Sequence, residues 1–221
     1  MDLGILDGGY GVFRPDAVVV RPDRMLRLHG YRDLGKVRPV IVRTAEEVAK
    51  RAEELFTPEV HYKRLPVDDV TGEGRLQAGG LAFHNPAFTK YLRGAREVTV
   101  VVATMGKALD DEVIAVMEEF DPLRALFLET AGWLGIETTT KHFATALAES
   151  VRGAGYRLTQ RLGPGYSYKV DGEDKRWPLE EQQQLFRAFE DVELPVRLLD
   201  QSCAMMPKMS RSGLYGLTPL N

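Results

Sequence analysis

Cysteine and histidine are scarce in this chain. Its 221 residues include one cysteine, Cys203, and four histidines. A single cysteine cannot form an internal disulfide, and one thiol among scattered histidines cannot build a cysteine-rich zinc site. We therefore interpret Cys203 as a small buried apolar side chain. The acidic pairs Asp68-Asp69 and Asp110-Asp111 are interpreted as solvated or helix-capping carboxylates, so we predict no metal site.

Long apolar runs and concentrated positive charge are also lacking. No run approaches the roughly 20 apolar residues that are needed to cross a bilayer. The segment from Met1 to Phe13 contains no basic residue and therefore lacks the charged start of a signal peptide. The formal net charge is −3, and no stretch concentrates lysine and arginine on one predicted face. We therefore expect a cytoplasmic protein that binds neither membranes nor nucleic acid.

The familiar catalytic motifs are missing as well. The sequence contains no nucleophile elbow, no phosphate-binding loop, no metalloprotease helix and no dinucleotide fingerprint after a strand. The glycines of Gly8-Gly9-Tyr10-Gly11 follow no predicted strand, so we interpret this stretch as an ordinary loop. We accordingly predict no catalytic residue.

The composition is that of an ordinary globular domain. Apolar residues make up 44% of the chain and charged residues 28%. Residues 1–24 read as an irregular segment with two Arg-Pro pairs, and residues 25–221 as one domain. Predicted strands and helices do not alternate regularly, which favours an α+β fold with an antiparallel or mixed sheet over a doubly wound one.

Local patterns predict the elements of this domain. Thr44, with Glu47 three residues later, has the form of a capping box that begins a helix ending before Pro58. The β-branched run Glu97–Thr104 predicts a buried strand. The remaining predictions are a short strand over 60–67, a turn-rich loop over 71–80, helices over 88–92, 110–120 and 122–152, a helix opening at Trp177-Pro178, and strands over 156–162, 196–199 and 213–217. The predicted inner face of the helix over 110–120 consists of Val113, Val116, Met117 and Phe120, and the apolar positions of the helix over 122–152 are Trp133, Ile136, Phe143, Leu147 and Val151.

The segment Arg161-Leu162-Gly163-Pro164-Gly165-Tyr166 has the composition of a ligand-binding loop. Arginine offers a planar set of donors that matches a carboxylate. Glycines on both sides of a proline allow the backbone to approach a ligand closely, and the tyrosine adds a flat ring and a hydroxyl. Such a loop suits an amino acid linked to a base. Taken alone, it is equally compatible with a structural turn and a solvent-facing arginine.

A second unusual segment runs from Gln201 to Gly216. It is rich in methionine and serine and poor in charge. Methionines in such a segment usually fill gaps in a core, so the segment taken alone predicts packing rather than binding.

Together, the two segments resemble the reactivation domain of cobalamin-dependent methionine synthase. The first resembles that domain's Arg-x-x-Pro-Gly-Tyr loop, and the second its Ser-x-x-Met-x-Pro-x-x-Ser-x-Ser-Gly-x-Tyr region. Between them, the segment 177–182 resembles a helix of separate, single-domain relatives. Weaker similarity at Leu28–Tyr31 and Thr104–Gly106 extends the resemblance from about residue 25 to the end. The matching residues are Arg161, Pro164, Gly165 and Tyr166, then Ser202, Met205, Pro207, Ser210, Ser212, Gly213 and Tyr215.

The resemblance implies both a fold and a ligand. The fold is α+β, a twisted antiparallel sheet with flanking helices, and the ligand is S-adenosylmethionine. By the same resemblance, Arg161 holds the methionine carboxylate, Gly163 contacts the ligand through its backbone, and Gly165 and Tyr166 shape the pocket. Pro164, Ser202 and Tyr215 complete the predicted set of ligand-binding residues.

The implied function is rescue of an oxidised corrinoid. Rescue consumes one electron and a methyl group from S-adenosylmethionine, and positioning rather than acid–base chemistry is the protein's task. The resemblance implies that cobalamin is carried by a partner, the methionine synthase core, and that a flavodoxin-type donor supplies the electron. We expect the chain to act within this methyltransferase system rather than as an enzyme alone. Two alternatives stay open: a helper for another corrinoid methyltransferase, and a scaffold module that has lost the ligand.

Overall fold

An antiparallel sheet of seven strands forms the centre of the protein, whose computed structural model describes residues 9–220. Strands and helices are numbered in chain order. Six strands lie in the order β4 (Leu81–His84), β3 (Arg75–Ala78), β2 (Glu59–Val70), β5 (Glu97–Thr104), β11 (Ser210–Pro219) and β6 (Tyr156–Leu158). The seventh, β1 (Tyr10–Phe13), pairs with the first half of β2. The predicted α+β class with an antiparallel sheet is confirmed.

Strand β5 occupies the middle of the sheet because its side chains are apolar on both faces. Val98, Val100 and Val102 face one hydrophobic core, and Val101 and Ala103 face the other. This is the alternation expected of a strand that is covered on both sides. Strands β2 and β11 pair with β5 over its whole length, so the two cores meet along these three strands.

One face of the sheet is covered by four helices. They are α1 (Pro22–Leu28), α2 (Pro39–Leu55), α4 (Ala108–Glu118) and α5 (Pro122–Gly153). The long helix α5 begins at Pro122 because Asp121 caps it, its side chain accepting a hydrogen bond from the Arg124 N–H at 3.0 Å. Phe143 and Leu147 of α5 are fully buried against the sheet, which confirms the predicted inner face of this helix at those positions, whereas the prediction is wrong at Trp133, which is 45% exposed.

The opposite face carries shorter elements. They are α3 (Phe88–Tyr91), the hairpin of β7 (Ser167–Val170) and β8 (Glu173–Arg176), α6 (Gln182–Arg187), and the pair β9 (Arg197–Leu198) and β10 (Met205–Met206). Trp177 is fully buried at their centre, with its ring 5.0 Å from that of Phe88. No helix within residues 9–220 is long and apolar enough to cross a membrane.

The N-terminal segment is more ordered than its sequence indicates. The prediction of an irregular stretch over residues 1–24 is wrong at 10–13, which form β1, and at Pro22, where α1 begins. An Arg-Pro pair reads as irregular, but proline at the first position of a helix has no N–H left to satisfy there. Gly8 and the residues before it lie outside the described part of the chain, and so does Asn221.

Helix α2 begins five residues earlier than the capping-box pattern predicts. Its first residue is Pro39, and Thr44 lies within the helix, where its hydroxyl donates to the Val40 carbonyl at 2.9 Å. A threonine hydroxyl satisfies a carbonyl four residues back as readily as it caps a helix, so the pattern by itself is ambiguous.

Two further element predictions need correction. The stretch 71–80 was expected to be a loop because it holds four glycines, but it contains β3, and Gly79-Gly80 form the two-residue turn into β4 with φ of +55° and +78°. Positive φ at both positions is what a tight hairpin turn requires. In α4, only Val116 of the predicted inner face is buried, whereas Met117 and Phe120 are exposed.

Candidate ligand-binding site

The predicted ligand loop is attached to the edge of β11. After β6, the Thr159 N–H donates to the Gly216 carbonyl at 2.9 Å. Further along, Leu162 and Leu214 exchange two backbone hydrogen bonds of 2.9 and 2.7 Å. The turn that follows is fixed by the Gly165 N–H, which donates to the Trp177 carbonyl at 2.7 Å, and Gly165 has a φ of +85° that glycine adopts without strain.

A cavity of about 390 Å³ opens beside this loop. Three of the predicted site residues, Pro164, Gly165 and Tyr166, line one side of it. The other walls come from α5, from the turn before α6 together with the first residue of that helix, and from the segment that runs through β10 into the start of β11. These walls consist of Trp133, Ile136, Leu179, Gln182, Ala204, Met205, Lys208, Met209, Ser210, Arg211 and Ser212.

Arg161 lies next to the cavity but is not among the residues that line it. Its Nη1 donates to the Ser212 carbonyl, and its guanidinium carbon lies 4.9 Å from the centre of the Tyr166 ring. A guanidinium over an aromatic face is attracted by the ring's negative face. The side chain therefore ties Tyr166 to the edge of β11. Its predicted contact with a ligand carboxylate stays a prediction.

The backbone of Gly163 is occupied by a neighbouring side chain. The Gly163 N–H donates to the Tyr168 hydroxyl at 2.6 Å, and that hydroxyl donates to the Gly163 carbonyl at 3.1 Å. Burial raises the pKa of Tyr168, so the hydroxyl keeps the proton that it donates. A Cβ on Gly163 would lie 2.9 Å from the Ser212 carbonyl, so glycine permits the close approach of loop and strand. Its backbone contact with a ligand stays a prediction.

Ser202 and Tyr215 are separated from the cavity. Ser202 is exposed, and its hydroxyl accepts a hydrogen bond from the Ala204 N–H at 3.3 Å. Tyr215 is 3% exposed and packs with its ring 6.2 Å from that of Phe143, in the core beneath α5. Burial raises the pKa of Tyr215 to about 12. The structure thus brings together three of the seven predicted residues around the cavity and places Arg161 and Gly163 directly behind them.

Comparison with known proteins relates this architecture to solved structures. No protein-family model and no curated protein sequence matches the chain. Among solved structures, the crystal structure of the MetH reactivation domain bound to AdoHcy is similar, with a TM-score of 0.58 and 17% sequence identity. The likeness covers 96% of this chain and 79% of that one. The chain has the reactivation-domain fold.

Within the reactivation-domain fold, Gln182 connects the three segments that meet at the cavity. Its side-chain oxygen accepts a hydrogen bond from the Ser212 hydroxyl at 2.8 Å, and its nitrogen donates to the Cys203 carbonyl. Gln182 is 2% exposed, so these bonds are shielded from water. This role of Gln182 could not be predicted from the sequence, because its partners lie 21 and 30 residues away along the chain.

Two cations of the cavity wall were also missed as site residues. Lys208 is engaged within the protein. Its side-chain ammonium pairs with Glu129, and its backbone N–H donates to an Asp110 carboxylate oxygen at 2.6 Å. Burial raises the pKa of Asp110, which lies inside α4 rather than capping it. Arg211 has no carboxylate within 4 Å among residues 9–220. The sequence did contain a signal for Lys208 and Arg211, because each is a charged residue in the charge-poor segment 201–216.

Proposed function

We propose that this chain binds S-adenosylmethionine in the cavity beside Gly165 and Tyr166 and supports reductive remethylation of a corrinoid carried by a partner protein. One observation carries the proposal: the chain has the fold of a domain crystallised with AdoHcy, and it has a cavity at the loop where its sequence resembles that domain. Cobalamin-dependent methionine synthase is the partner that the resemblance favours.

The cavity has the chemistry that such a ligand needs. Trp133 and Tyr166, each 45% exposed, offer aromatic surface for an adenine ring. Arg211 lines the cavity and Arg161 stands behind Tyr166, so positive charge is concentrated at one end. Positive charge attracts the carboxylate of the ligand and repels its sulfonium. The ligand is thereby oriented with its methyl group away from the arginines.

The protein's own part in the reaction is positioning. A corrinoid supplies the nucleophilic cobalt when a partner brings it to the cavity. The residues of this chain hold the ligand at a fixed distance and angle, which lowers the entropic cost of methyl transfer. No residue is assigned as a general acid or base.

Ligand binding is the first test. S-adenosylmethionine and AdoHcy should each raise the melting temperature, and at a hundredfold excess over the dissociation constant the stabilisation is about 2.7 kcal/mol. Arg161→Ala should weaken binding by about 1.5–3 kcal/mol, because Arg161 holds Tyr166 and the β11 edge beside the cavity through charge-assisted contacts. Calorimetry with no heat and no melting shift at millimolar ligand contradicts the proposal.

Remethylation is the second test. A methionine synthase core loaded with cob(II)alamin is mixed with a reductant, S-adenosylmethionine and this chain, and the visible spectrum is followed. Methylcobalamin should form only when the chain is present, and the chain without a corrinoid protein should not methylate homocysteine. Methylation of a different corrinoid protein instead would favour the alternative partner.

The scaffold alternative is favoured by a specific observation. The Gly163 backbone and one Arg161 nitrogen, both predicted to contact the ligand, are hydrogen-bonded within the protein. A module that had lost its ligand would keep such internal bonds. Failure of ligand binding, together with failure of remethylation for every corrinoid protein tried, would leave this alternative standing.

A further inference from the structure

Arg211 occupies a position in β11 that directs its side chain toward α5. In the pairing of β11 with β5, Arg211 lies opposite Ala103, which belongs to the core beneath α5. Side chains alternate along a strand, so Arg211 shares a face with Tyr215, whereas Ser212 points to the other face and meets Gln182. Arg211 therefore reaches the cavity from the start of β11, close enough to the predicted loop for the charge of Arg161 to act on it.

The charge of Arg211 is poorly compensated by the protein. The side chain is half-buried, and burial lowers the pKa of its guanidinium from the ordinary value. Glu137 is the acid whose charge acts on it, but that carboxylate is already paired with Lys141 at 2.7 Å and with Arg24 at 3.9 Å. A partly desolvated cation without a close counter-ion is costly, and an anionic ligand would remove that cost.

The other cations near the cavity are already engaged. Arg161 donates to the Ser212 carbonyl and stacks on Tyr166, and Lys208 pairs with Glu129. Among the described residues, Lys208 and Arg211 are the two cations that line the cavity, and Lys208 is paired with Glu129. The N–H groups of Arg211 are therefore the ones available for a carboxylate. Arginine suits that task because two parallel N–H groups match the two oxygens.

We propose that Arg211 binds the carboxylate of the ligand's amino-acid part, and that Arg161 acts as a positioning residue that holds Tyr166 and the edge of β11. This inference rests on the proposed function and deepens it. It transfers the carboxylate contact from the loop residue implied by resemblance to a strand residue that the structure places in the cavity wall.

The test compares two ligands that differ by the carboxylate alone. S-adenosylmethionine and decarboxylated S-adenosylmethionine are titrated by calorimetry into the wild-type protein, Arg211→Met and Arg161→Ala. Arg211→Met should weaken binding of S-adenosylmethionine about 10- to 100-fold and leave that of the decarboxylated ligand within about twofold, since a hydrogen bond to a charged group is worth about one to two factors of ten. Arg161→Ala should weaken both ligands alike.

Two controls accompany the titrations. Arg187→Met removes the same charge from an exposed position at the end of α6 and should leave the affinity for both ligands unchanged. Arg211→Lys keeps the charge without the paired donors and should recover part of the lost affinity. Circular dichroism melts of each variant establish that it is folded under the titration conditions.

The outcomes separate the two proposals. If the wild-type protein binds S-adenosylmethionine and Arg211→Met binds it equally well, the assignment of Arg211 is wrong while the proposed function stands. A selective loss of the carboxylate-bearing ligand in Arg161→Ala would return the contact to Arg161. If the folded wild-type protein binds neither ligand, the proposed function falls and this inference falls with it.

Discussion

At the scale of single residues, the conformation of the ligand loop depends on Tyr168. Its buried hydroxyl is both acceptor and donor for Gly163, although the two residues are separated by a turn. No pattern in the sequence indicated this role for Tyr168. Its contact with Gly163 explains what fixes the shape of a loop of two glycines and a proline.

Replacement of Tyr168 by phenylalanine should destabilise the protein by about 1–3 kcal/mol, because the buried Gly163 N–H loses its partner. Urea denaturation measures the change, and an unchanged slope shows that the folded state stays compact. The matched control is Tyr91→Phe, whose hydroxyl donates to the Lys169 carbonyl at 3.2 Å in an exposed setting. A smaller loss for Tyr168→Phe than for Tyr91→Phe would contradict this role.

At the scale of elements, β11 organises the site. Its last residues pair with β6, its whole length up to Leu217 pairs with β5, and Leu214 holds the loop. Gly213 lies where the loop crosses closest, since a Cβ there would be well inside van der Waals contact with the Leu162 carbonyl. The close backbone approach explains why glycine is required at this position.

Gly213→Ala should therefore force the loop away from β11. We expect a loss of stability of about 1–3 kcal/mol, typical of overpacking, together with weaker binding of S-adenosylmethionine. Thermal melting and calorimetry measure the two effects. The control is Gly153→Ala at the end of α5, where an added Cβ meets no atom within 4 Å, and which should be neutral or stabilising by up to about 1 kcal/mol. Equal melting temperatures for the two variants would show that the approach is not tight.

Elements were predictable where a single pattern dominates. Glu97–Thr104 was predicted with its observed bounds because β-branched residues prevail in it and valines occupy both of its faces. The hairpin of β3 and β4 was missed because glycines mark loops and tight hairpin turns alike. The exposed face of α4 was missed because Met117 and Phe120 fit a helical period yet lie beyond the reach of the core.

At the scale of the whole molecule, the cavity is bordered by elements from both faces of the sheet. Trp133 comes from the helices of one face, Leu179 and Gln182 from the elements of the other, and the start of β11 runs between them. A cavity built in this way changes shape if either layer shifts. We therefore expect ligand affinity to report on the packing of both layers.

The sequence by itself determined the class of the fold, the two segments that meet at the cavity, and the absence of familiar catalytic motifs. These properties follow from local composition: apolar periodicity, the loop at 161–166 and the segment at 201–216. Pro164, Gly165 and Tyr166 were predicted as ligand-binding residues by the resemblance, and they line the cavity together because they are consecutive in the turn beside it.

Only the tertiary structure decided which other side chains face the cavity. Tyr215 was predicted there but lies in the core, and Arg211, four residues earlier on the same strand face, lines the wall instead. Strand alternation assigns both residues to one face of the sheet. Which of them lies beside the cavity and which lies beneath α5 depends on the register of β11 against β5. That register is set by contacts between residues more than a hundred positions apart, which no local pattern encodes.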